Sequence, residues 1–139
     1  MIGLDANVLI RYLAGDEPIQ SQQARHLLES LTADEPGYLS LVALVETLWV
    51  LKHHYHTPRD QVLSVVSGLL EVPSLVFQCA DEVRQAIQLS LRHSIDLPDA
   101  LLRRLDAAAG CAVTVTFDRR AARLPGMRQV SGDVTPPPA

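Results

Sequence analysis

Residues 2–13 read Ile2-Gly3-Leu4-Asp5-Ala6-Asn7-Val8-Leu9-Ile10-Arg11-Tyr12-Leu13. Ile2 to Leu4 is a short apolar run closed by an acid, the pattern of a buried strand. From Val8 the pattern predicts a helix, with Asn7 able to cap it. A strand that passes into a helix with an acid at the junction opens an α/β fold, where ligands gather beyond the carboxyl ends of the strands.

The same alternation continues along the chain. Asp16-Glu17-Pro18 starts a second helix, since acids and proline favour a first turn, and Ala24, Leu27, Leu28 and Leu31 keep helical spacing. Pro36-Gly37 breaks the chain before a brief strand over residues 38–40. Residues 41–55 form the most apolar helix, Pro58 opens another that ends near Glu71, and Pro73 introduces a strand over residues 75–77. Further helices are predicted over 81–93 and from Asp96 to about Ala109, with Gly110 at the C-cap. A strand over 112–116, a short helix over 118–123 and an edge strand over 128–130 complete the pattern. The expected fold is an α/β sandwich with a central, largely parallel sheet of about five short strands flanked by helices. One domain spans residues 1–132. The tail 133–139, with Pro136-Pro137-Pro138, offers no core residues and is expected to be disordered.

A chain of 139 residues suits one domain and can bury a core without a staple. Hydrophobic residues make up 47% and aromatics 4%, so the core is Leu, Val, Ile and Ala. Cys79 and Cys111 lie in apolar sequence and are expected to be reduced core residues of a cytoplasmic protein. The start has no basic segment followed by an apolar one, and no apolar run approaches the ~20 residues of a membrane span. The expectation is a soluble cytoplasmic protein with no membrane partner. A net charge of −4 argues against a protein that coats duplex phosphates. Lys52 is the lone lysine among twelve basic residues, and the arginines suit local, bidentate phosphate contacts.

Four acids stand out. Asp5 closes the first strand, and Thr116 and Asp118 lie at the end of another. Glu46 sits among Leu41, Val42, Leu44, Val45, Leu48 and Trp49, where a lone buried charge needs a partner: a metal ion, or an arginine such as Arg11. Asp99 stands three residues after Asp96, which also fits a capping box, and Asp5 and Asp118 also fit turns or caps. His53 and His56 have helical spacing but lack a third ligand nearby, so a solvated helix end accounts for them better than a transition metal.

Residues Leu4 to Leu13 resemble the opening of PIN-domain toxins of the VapC type. Ser40-Leu41-Val42-Ala43-Leu44-Val45-Glu46-Thr47-Leu48-Trp49-Val50-Leu51 resembles their second acidic segment. Asp99-Ala100-Leu101-Leu102 and Thr116-Phe117-Asp118-Arg119 are similar to the third and fourth. The resemblance implies a PIN-like fold with Asp5, Glu46, Asp99 and Asp118 as catalytic metal-site acids, supported by Asn7 and Thr116. It further implies an endoribonuclease, the toxin of a type II toxin–antitoxin pair, with RNA as substrate, a small antitoxin as partner and a homodimeric state. One departure is Leu102-Arg103-Arg104-Leu105-Asp106, where such toxins more often carry small or apolar residues.

Oxygen ligands without cysteine favour Mg²⁺, with Mn²⁺ able to substitute, over zinc. Clustered carboxylates repel one another until a divalent cation neutralises them. Arg11, Arg119 or Arg120 would contact the RNA backbone, or serve only as solvated surface charges. An aspartyl phosphatase would want an acid where Asn7 stands, and a phospho-receiver a lysine after a late strand. The remaining rival is a catalytically silent PIN fold that binds RNA or acts as a scaffold.

Overall fold

The first apolar run does form a strand, β1 (Ile2–Gly3), which passes through Leu4 and Asp5 into helix α1 (Ala6–Ala14). A computed structural model describes residues 1–130 of the chain; the tail 133–139 lies outside them. Two compact units result, Met1–Ala80 and a second that begins at Asp81.

In the first unit, β1 pairs in parallel with β2 (Gly37–Leu39), and β2 in parallel with β3 (Leu75–Phe77). Parallel neighbours need long crossovers, and each is a pair of helices. Helices α1 and α2 (Pro18–Ser30) link β1 to β2, and α3 (Leu41–His53) and α4 (Arg59–Leu70) link β2 to β3. The central strand β2 begins at a buried glycine. A Cβ on Gly37 would lie 2.8 Å from the side chain of Leu31 and 2.9 Å from that of Leu4, so a larger residue fits only if these leucines shift. The expectation of a buried first strand is corrected: β1 is an edge strand, with Ile2 49% exposed and only the following Leu4 buried.

Helix α3 reads as apolar on nearly all sides but is covered on one. Ala43, Leu44, Thr47, Leu48 and Leu51 are buried. Val42, Val45 and Trp49 face solvent, at 70%, 42% and 60% exposure. The buried Thr47 hydroxyl is satisfied by donating to the Ala43 carbonyl at 2.8 Å, and Ser40 caps the helix by accepting from the Ala43 amide at 3.2 Å.

The second unit holds helices α5 (Ala80–His93, entered from the last residue of the first unit) and α6 (Leu97–Ala108). Strand β4 (Thr114–Thr116), a 3-10 turn (Ala121–Arg123) and strand β5 (Met127–Gln129) follow. Val83, Ala86, Ile87 and Ser90 recur at helical spacing along the buried face of α5. β4 pairs with β5 in parallel, Thr114 opposite Met127 and Thr116 opposite Gln129. The expected five short, parallel strands are therefore present, divided between a three-stranded and a two-stranded sheet. Among the described residues no helix is long and apolar enough to cross a membrane.

Candidate active site

Asp5 stands where β1 turns into α1. Its backbone is extended (φ −76°, ψ 154°), and its side chain accepts from the Ala6 amide at 2.7 Å. Asp5, and not Asn7, therefore caps α1. The helix begins at Ala6, which leaves Asn7 exposed inside the first turn. Asn7 lines a groove of about 510 Å³ with Arg11, Gln20 and Gln23 over Val8, Ala24 and Leu27.

Arg11 is held within that unit: its Nε donates to Gln20 Oε1 at 2.8 Å and its Nη1 lies 3.6 Å from Asp16. Asp16 also accepts from the Tyr55 hydroxyl at 2.8 Å. That hydrogen bond holds the Asp16 carboxyl below its ordinary value and pushes the Tyr55 hydroxyl up. The sequence offers no local signal for this contact, which joins residues far apart in the chain.

Glu46 projects from the exposed side of α3, between Val42 and Val45 behind it and Trp49 one turn ahead. Glu46 is therefore not the buried charge in need of a partner that its apolar neighbours lead one to expect, because the uncovered side of the helix leaves the carboxylate in water. No ion pair among the described residues engages it. The Trp49 ring stacks on His53, centroids 4.5 Å apart and planes 24° from parallel, and His53 Nδ1 lies 2.9 Å from the Trp49 carbonyl.

In the second unit, Asp99 occupies the first turn of α6, where the helix dipole favours a carboxylate. Asp96 is the N-cap residue but makes no side-chain capping bond, so the capping box does not form. Asp118 follows β4. Its amide donates to Thr116 Oγ1 at 3.0 Å, and its Oδ1 accepts from the Arg120 and Ala121 amides at 2.8 and 3.1 Å. Asp118 thus closes the 3-10 turn with its own side chain, and Thr116 ties the acid to the strand. Arg119 and Arg120 are exposed.

Among the described residues, no group of three or more His, Cys, Asp or Glu side chains is gathered for metal binding. The donors nonetheless have the right chemistry for a hard divalent cation. Asp5 and Asp118 are exposed carboxylates held in place by backbone N–H groups. Cys79 and Cys111 are free but exposed, which corrects their expected place in the core. Cys79 falls in a turn, with a positive φ of 51°, and Cys111 in the link that follows α6.

The family model of the PIN domain matches residues 2–127. The chain belongs to the PIN-domain family. The match begins at β1 and takes in both units. A solved structure described as a toxin–antitoxin complex from Klebsiella pneumoniae is 22% identical, covers 98% of each chain and has a TM-score of 0.38. None of the curated proteins compared with the chain matches it. PIN domains are generally nucleases.

The charged stretch that departs from the toxin pattern has a structural use in this PIN domain. Arg104 pairs with Glu82 of α5 at 3.2 Å, both side chains largely covered. Arg103 and Asp106 both bond the Thr114 hydroxyl, at 3.0 and 2.7 Å. This network joins α6 to β4 and was not legible in the sequence.

Proposed function

We propose that this PIN domain is a Mg²⁺- or Mn²⁺-dependent endoribonuclease, the toxin of a type II toxin–antitoxin pair, working in the cytoplasm. The observation that carries the reading is the family match over residues 2–127, which includes all four acidic segments. The same span supports treating residues 1–132 as one nuclease domain. Asp5, Glu46, Asp99 and Asp118 would hold the cation. When bound, it supplies Lewis acidity toward a phosphate oxygen and the attacking water.

The chain's own residues do the rest. Asn7, two residues beyond the Asp5 cap of α1, is neutral and orients water or an acid without adding repulsion. Thr116 keeps Asp118 in place through the bond to its amide. Arg119 is free to reach an RNA phosphate, whereas Arg11 would first give up its contact with Gln20 or Asp16. Water adds across a phosphodiester bond, leaving a 5′-phosphate and a 3′-hydroxyl. The resemblance to VapC-type toxins supports a small antitoxin as partner. The exposed apolar side of α3 supports the homodimer, since such faces mark association surfaces.

The test is direct. Purified protein is incubated with total RNA, with EDTA or with Mn²⁺, and the cut ends are mapped. Cleavage in Mn²⁺ alone, leaving 5′-phosphates, is the expected result. RNA left whole by the folded protein in Mn²⁺ would leave a silent PIN fold as the reading.

A further inference from the structure

Asp99, Arg103 and Asp106 fall at i, i+4 and i+7 of α6, along one face of the helix. Thr114 and Thr116 fall two apart on β4, on one face of the strand, with Val115 48% exposed on the other. The link from Ala109 to Val113 turns the chain back, so that Thr114 meets Asp106 and Arg103 in the last two turns of the helix.

The contact is a single hydroxyl with both roles filled. Thr114 is 7% exposed; its Oγ1 donates to Asp106 Oδ2 at 2.7 Å and accepts from Arg103 Nη1 at 3.0 Å. Arg103 Nη2 also donates to the Cys111 carbonyl at 3.2 Å. Room for the guanidinium is made by Gly126, where a Cβ would lie 2.6 Å from Arg103 Nε and where φ is +87°. Gly126 in turn accepts from the Thr114 amide at 2.9 Å. The helix, the start of β4 and the approach to β5 are therefore locked at one point.

We propose that Arg103 and Asp106, joined through Thr114, are positioning residues. They fix the turn of α6 that carries Asp99 against the end of β4 that carries Thr116 and Asp118. The proposal rests on the nuclease reading above. Apolar packing alone would hold helix to strand, but would tolerate sliding between them. Directional bonds to one buried hydroxyl set a single register, and partly covered charges are costly unless so satisfied. From this lock, one helical turn leads from Arg103 to Asp99. Along the strand, Thr114 leads to Thr116 and through its hydroxyl to the Asp118 amide, an unbroken path of backbone and hydrogen bonds.

Full-length T114V and T114S separate positioning from mere support. Mn²⁺ affinity is measured by calorimetry well below the melting point, and fold by circular dichroism and thermal melts in EDTA. T114V is expected to stay folded, bind Mn²⁺ about tenfold more weakly, as is usual when a group that orients metal ligands is removed, and cleave RNA more slowly. T114S, which keeps the hydroxyl, restores both. If T114V does not fold, Arg103→Met takes its place with the same expectation. A variant that melts lower in EDTA yet binds Mn²⁺ as the wild type does would overturn the positioning role alone. A wild type that takes up no Mn²⁺ and cuts no RNA would overturn the nuclease reading and this proposal with it.

Discussion

Tyr55, just past the end of α3, donates its hydroxyl to the carboxylate of Asp16 in the link between α1 and α2, at 2.8 Å. The bond joins residues 39 apart in sequence and shifts both groups in opposite directions. Asp16 falls below its ordinary value of 3.8, chiefly through Tyr55, and Tyr55 rises above its ordinary 10.0, chiefly through Asp16.

The first prediction follows from these signs. A carboxyl lowered in the folded state stabilises the fold above its unfolded value and loses that contribution as pH falls through the folded one. A raised phenol contributes below 10.0 and loses its share as pH climbs through the folded value. Tyr55→Phe should therefore lower the melting temperature across neutral pH, and the gap to wild type should close in strong acid. NMR titration should show the Asp16 carboxyl moving up toward 3.8 in the variant. An Asp16 titration unchanged by Tyr55→Phe would refute this account of the shift.

Asp5 is both a cap and a proposed metal ligand, and two variants separate these roles. Asp5→Asn keeps an oxygen to accept from the Ala6 amide, so stability should hold while Mn²⁺-dependent cleavage is lost. Asp5→Ala should lose cleavage and also about 1 kcal/mol of stability, the usual cost of an N-cap. Chemical denaturation and RNA cleavage of both variants check this; wild-type cleavage by folded Asp5→Asn would remove Asp5 from the site.

Asp99 poses the same question with different magnitudes. A carboxylate in a helix's first turn is worth roughly 0.3–1 kcal/mol, whereas Mn²⁺ at a hundredfold excess over its dissociation constant stabilises by about 2.7 kcal/mol. Asp99→Asn should lose most of the Mn²⁺-induced rise in melting temperature while changing little in EDTA. A variant that melts lower in EDTA and keeps the full Mn²⁺ shift would make Asp99 a helix residue only.

Ser90 tests the second unit's core. It is 0% exposed, and its hydroxyl donates to the carbonyl of Ile95, itself 0% exposed, next to the left-handed Ser94. Ser90→Ala leaves that carbonyl unsatisfied and should cost about 1–3 kcal/mol in denaturant melts. Cleavage per folded molecule should be unchanged.

Much of this architecture was legible in the sequence. Proline and glycine punctuation with helical spacing located α2, α4 and β3, the last to the residue. The start of α1 was misplaced by two residues because Asp and Asn cap equally well, and only the structure shows which of Asp5 and Asn7 does so. The apolar pattern around Glu46 points to burial because it reveals what a helix can bury, not how many of its sides are covered. Arg103, Asp106 and Thr114 gave no signal as a set: each looks like an ordinary surface residue until a loop brings strand to helix. The proposal of the four acids rests on their segments' likeness to a family, since Asp5, Asp99 and Asp118 each pass equally for a cap or turn and Glu46 for an ordinary acid on an exposed helix face.

The exposed side of α3 carries the chain's one tryptophan, a turn beyond Glu46 and stacked on His53. Indole emission depends on the water around it, and here every photon excited in the indole band comes from this single face. A surface that covers Val42, Val45 and Trp49 would expel that water, shift the emission to the blue and shield the ring from iodide quenching. The protein thus carries its own optical label, set beside the acid whose encounters most need watching.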